Sequence, residues 1–71
     1  MASTDLSEKM LARAEADKLP AAHPLRVNAA EFDTATKGFF AEPQIVPVAA
    51  FMGAWARARK AWCQYTGEPL L

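Results

Sequence analysis

The sequence predicts an all-α fold, a small three-helix domain with proline-rich connections. Two observations carry this. Three stretches, at about residues 5–19, 29–41 and 47–66, place apolar residues at helical spacing. Proline-rich segments around 20–24 and 43–47 separate them. A chain of 71 residues is one domain at most, so residues 1–71 are read as a single unit.

The first stretch opens with Asp5 and Glu8 in a capping-box-like spacing and closes at Leu19 before Pro20. Its stripe of Leu6, Met10, Leu11 and Ala14 is thin, enough to cover a core but not to build one. An alternative reading makes residues 1–22 a loosely attached N-terminal helix or arm that orders on a partner. The following segment, Pro20 to Arg26, reads as a linker, with His23 a solvated residue in extended geometry before Pro24.

Asn28 is the expected N-cap of the second helix, with Glu31 at N3 and Val27 and Phe32 as a hydrophobic staple. Phe32, Ala35 and Phe39 then share a face, and Asp33 can pair with Lys37 one turn on. Gly38 reads as a C-cap or a weak point, and the helix ends by Ala41. Phe40 points away from the Phe32 face and is expected to pack in the connection.

Pro47 suits the first turn of the third helix, where its missing N–H costs nothing. On a wheel with Val48 at zero, Phe51, Trp55 and Trp62 fall between about 300° and 340°. Met52 and Cys63 flank this aromatic arc on one side, Ala58 and Tyr65 on the other. Ala50, Ala54 and Ala61 make a strip of small residues that lets another helix approach closely. Gly53, Arg57, Lys60 and Gln64 are left for a polar arc of roughly 60°. Either this helix is central with the first two wrapped around it, or another chain covers part of it. Arg59, inside the aromatic arc, is expected to lay its stem on the tryptophans and reach water, Glu31 or Asp33. As a sharper alternative it is an interface anchor. Gly67 caps the helix, and Leu70 and Leu71 fold back onto the core or insert into a neighbour.

Chemistry finds little purchase. Cys63 is the only cysteine and His23 the only histidine, so neither an internal disulfide nor a zinc site can be built. Cys63 lacks a neighbouring histidine and reads as a packed thiol; three glycines make no phosphate loop. No catalytic, cofactor or metal residue is assigned, and the protein is expected not to be an enzyme. The formal charge is zero overall, yet residues 43–67 carry Arg57, Arg59 and Lys60 with no acid. A lone thiol and the lack of an export signal or membrane span fit a cytoplasmic protein.

Small domains without covalent staples are marginally stable, which favours a partner. The expectation is therefore a non-enzymatic contact module: a small subunit, adaptor or inhibitor of a larger assembly. Its partner is another protein chain, a copy of itself or a different one. The expected contact residues lie on the aromatic and alanine surface of the third helix: Trp55, Arg57, Arg59, Lys60, Trp62 and Tyr65. The rival is a small DNA- or RNA-binding domain using Arg57, Arg59 and Lys60, with a long connection ahead of its basic helix where a helix-turn-helix has a tight turn.

Overall fold

The structure, a computed structural model, describes residues 2–69, with side chains from Leu6 onward. Leu70 and Leu71 lie outside the described residues, and with them the expectation for the C-terminal tail. Three helices follow in chain order: α1 (Ala2–Ala16), α2 (Pro24–Phe39) and α3 (Val48–Thr66). The expected all-α, three-helix class is what the chain adopts.

The thin stripe of α1 is where the sequence places it, and it is a real part of the core. Leu6, Met10 and Ala14 are buried, with Met10 among the largest fully enclosed side chains. Both ends differ from expectation. The helix begins at Ala2, so Asp5 lies within it rather than capping it. It ends at Ala16, before Leu19, because Lys18 turns left-handed at φ 54°. The Leu19 N–H then reaches back to the Ala14 carbonyl at 2.9 Å and the Lys18 N–H to the Glu15 carbonyl at 3.1 Å. These two reversed bonds form a Schellman closure, which satisfies carbonyls that the helix end leaves open. Leu19 is thereby turned onto the core.

The start of α2 is the largest correction. It lies at Pro24, about one and a half turns earlier than the expected residue 29, and His23 is its N-cap. The His23 Nδ1 accepts the Leu25 N–H at 3.1 Å. Pro24 occupies the first turn, where its fixed φ begins a helix instead of breaking one. Asn28, the expected cap, sits one turn inside and donates its amide to the Pro24 carbonyl at 2.8 Å. The expected staple fails with it, since Val27 is exposed. Leu25 and Ala29 extend the buried face of Phe32 and Ala35 backward by two turns. The pair expected across one turn is present, Lys37 to Asp33 at 3.0 Å.

Gly38 is neither cap nor weak point. Phe40 caps α2, and its N–H returns to the Thr36 carbonyl at 3.1 Å. Gly38 is instead where the returning chain crosses the helix: its carbonyl accepts the N–H groups of Ile45 and Val46 at 3.0 and 3.2 Å. A Cβ at this position would press against Val46 and Ile45, with Ile45 Cγ1 at 3.2 Å and Val46 Cβ at 3.3 Å. The connection then delivers Pro47 as the N-cap of α3, with no side-chain cap bond. Gly67, at φ 75°, closes α3 by donating to the Cys63 carbonyl at 2.8 Å.

Helix α2, not α3, is the middle element: it packs against both others, while α1 and α3 meet mainly through long side chains. The reason is side-chain size. Ala54, Ala58 and Ala61 make the buried strip of α3, and small residues permit a close helix–helix approach. Ala50, expected to head that strip, is exposed. Toward α1, by contrast, stand Trp62 and Tyr65, with Lys9 over the indole at 5.1 Å and the Arg13 guanidinium 5.4 Å from the phenol ring. Arg26 ties the end of α1 to α2, donating to the Leu19 carbonyl at 2.8 Å and meeting Glu15 at 3.4 Å. The molecule measures 37 × 22 × 20 Å, about two helix diameters thick. In so thin a body each helix keeps one face in water.

Candidate contact surface

The geometry of α3 decides which of its residues another molecule can reach. The buried strip of Ala54, Ala58, Ala61 and Trp62 occupies the α2 and α1 sides. At its N-terminal end Phe51 joins the phenylalanines of α2, stacking on Phe39 at 4.5 Å and on Phe32 at 5.8 Å between centroids. Phe40 meets the edges of Phe39 and Phe51, at 4.9 and 6.0 Å, yet is itself 67% exposed. The aromatic arc read from the wheel is therefore divided. Phe51 and Trp62 serve the core and its edge, and Trp55 sits half-buried at the border.

The six residues expected at a contact surface do not form one patch. Trp62 is only 4% exposed and packs within the chain. Tyr65 is half-buried: its hydroxyl donates to the Asp17 carboxylate, and the His23 ring meets it edge-on at 5.3 Å. Arg57 turns back on α2, its Nε 2.8 Å from Glu31. That carboxylate is one the sequence offers to Arg59. Position 57 is on the α2 flank of α3 and position 59 on the far side, so only Arg57 can take it. Arg59 instead lies with its guanidinium 5.3 Å from the Trp55 ring centre, and its side chain is exposed. Lys60 borders a shallow groove of about 230 Å³ between α2 and α3, together with Pro24, Asn28, Arg57, Ala61 and Gln64.

What the wheel misses is the breadth of the remaining face. Val48, Ala49, Met52 and Ala56 are exposed alongside Trp55 and Arg59, with Cys63 half-buried beyond them. Apart from Val27, the large exposed apolar side chains among the described residues cluster in sequence: Phe40 at 67%, Ile45 at 74%, Val48 at 58% and Met52 at 50% all fall between residues 40 and 52. A signal is present on the wheel, since Val48, Met52 and Ala56 lie together at about 0° to 80°. Equating apolar character with burial hides it, and makes the water-facing arc look narrow.

Three polar groups make a small network at the meeting of α1 and the C-terminal end of α3. Asp17 accepts from Tyr65 and from Arg13, the latter at 2.9 Å. The Tyr65 hydroxyl, then the Arg13 guanidinium, hold the Asp17 carboxyl below the usual carboxylate range. The same bond to Asp17 holds the Tyr65 phenol above its usual range. No group of three or more His, Cys, Asp or Glu side chains comes together among the described residues. No helix there is long and apolar enough to cross a membrane.

Neither a family model, nor a curated protein, nor a solved structure is significantly similar to this chain. The surface must therefore be read from its own chemistry.

Proposed function

We propose that the protein acts by stoichiometric contact, as a small subunit, adaptor or inhibitor of a larger assembly, without chemistry of its own. One observation carries this reading: Phe40, Ile45, Val48 and Met52, each at least half exposed, all fall within residues 40–52 of a very small molecule. Contiguous exposed apolar surface on a soluble domain marks a place where another surface docks. Trp55 and Arg59 at its border are of the types that dominate binding hot spots. The alanine strip of α3, first expected to receive a partner, receives α2 instead, so the proposed surface is the opposite, outward face. A cytoplasmic setting remains part of the proposal, on the lone free thiol.

The nucleic-acid reading draws less support from the geometry. Arg57 is paired with Glu31, which leaves Arg59, over the Trp55 ring, and Lys60 as the two cations of α3 without a carboxylate partner among the described residues. Affinity for a phosphate backbone grows with the number of phosphates neutralised.

The test is native mass. In an extract of its own cells the chain should run well above its 7.7 kDa. Val48→Asp with Met52→Asp should return it to the free mass while leaving its circular dichroism and melting curve close to wild type. A chain that runs alone in the extract ends this reading.

A further inference from the structure

We propose that the outward face of α3 receives an acidic amphipathic helix from a different protein, its apolar stripe on Met52, Ala56 and Trp55 and its carboxylates against Arg59 and Lys60. This deepens the contact reading above and rests on it. The argument begins with charge. Residues 43–67 hold three cations and no acid. Glu31 closes Arg57 at 2.8 Å, whereas neither Arg59 nor Lys60 has a carboxylate partner among the described residues. On the wheel those two cations stand at about 20° and 120°, and Met52, Cys63 and Ala56 lie between them at about 40° to 80°. The exposed apolar surface thus holds Arg59 within it, between Trp55 and Met52, and Lys60 along one margin.

That pattern selects among occupants. A second copy of this chain offers the same strip with the same two cations, so self-pairing of these faces sets like charges together with no carboxylate between them. A bilayer is disfavoured because Arg59 lies within the apolar surface and burial of the strip would carry the guanidinium into the hydrocarbon. Interfacial helices that bind lipid present a polar face rich in cations, and here that face carries Arg57, paired with Glu31, and Lys60. A helix that carries carboxylates beside its apolar stripe meets both needs: apolar side chains spaced to follow the strip, and carboxylates for Arg59 and Lys60. Ala49 and Ala56 leave room for its backbone to come close.

The experiment uses the intact chain and two fluorescein-labelled peptides of about 18 residues, long enough to hold a helix. Both carry the same leucine stripe; one has glutamates along its margins, the other lysines. Anisotropy titration should show the glutamate peptide binding at least about tenfold more tightly. R59E/K60E should reverse that preference while melting like wild type, since both side chains are exposed. Equal affinity for the two peptides, binding of neither, or a preference unchanged in R59E/K60E each overturns the proposal. So does co-sedimentation with phosphatidylglycerol vesicles in place of peptide binding, or a doubling of mass by the chain alone. Equal affinities that fall together in Met52→Asp would remove the acidic partner but leave the contact reading. Native mass in the extract decides that reading separately.

Discussion

Lys18 holds a backbone shape that lysine seldom adopts. Its φ of 54° closes α1, and the role belongs more often to glycine, which has no Cβ to crowd the following carbonyl. Exposed Lys18 makes no described contact that would be lost on truncation. Lys18→Gly should therefore stabilise the fold by up to about 1 kcal/mol, the strain relieved being partly offset by a freer unfolded chain. Urea unfolding measures it, and a lower midpoint than wild type would show that the lysine is not strained. His23 shows the same limit of reading by residue type. Histidine is not among the favoured caps, so residue type alone makes it a solvated linker residue. Its ring is held in place by Tyr65, 42 positions away in the chain and invisible to any local pattern.

Among the helices, existence and stripes are legible in the sequence, and boundaries are not. Met10, Phe32, Ala35 and most of the alanines of α3 fall at their expected spacing because a 3.6-residue period shows in any apolar stripe. The ends depend on competition between plausible caps. Asn28 is a better cap in isolation than His23, but starting at Pro24 adds Leu25 and Ala29 to the buried face. Burying those two side chains outweighs a cap preference of about 1 kcal/mol. Gly38 is the corresponding case for the connection into α3. The chain crosses it so closely that Gly38→Ala must push Ile45 and Val46 away and strain the two bonds to its carbonyl. The expected loss is about 1–3 kcal/mol, read as a lower thermal midpoint. An unchanged midpoint would mean that the 45–46 segment gives way freely.

Across the molecule, the tie between Asp17 of the α1 turn and Tyr65 of α3 links elements that otherwise meet through side chains alone. Its pH behaviour follows from the direction of the shifts. Asp17 is held below its ordinary range, so the folded state binds fewer protons there than the unfolded chain. The stabilisation is complete above the unfolded carboxyl value of about 4 and is lost as pH falls through the lower folded value. Tyr65 is held above its range, so a second loss sets in on the alkaline side as pH rises past about 10. Tyr65→Phe should flatten the acid arm of a stability–pH curve without abolishing it, because Arg13 still pairs with Asp17. Acid arms of equal slope in the two proteins would show that the hydroxyl does not contribute.

The sequence by itself determined the class, the number of helices and most of the buried stripe, because helical periodicity and proline placement are local properties of the chain. It also determined that residues 43–67 carry cations without acids, on which the proposed partner depends. Only the tertiary structure decided that α2 lies in the middle and that Arg57, not Arg59, takes Glu31. Likewise it decided that the alanine strip is filled from within while Val48, Met52 and Trp55 border water. A wheel ranks the faces of a helix by polarity but cannot say which neighbour covers them. In a molecule two helices thick, the number of neighbours is what leaves an apolar face open.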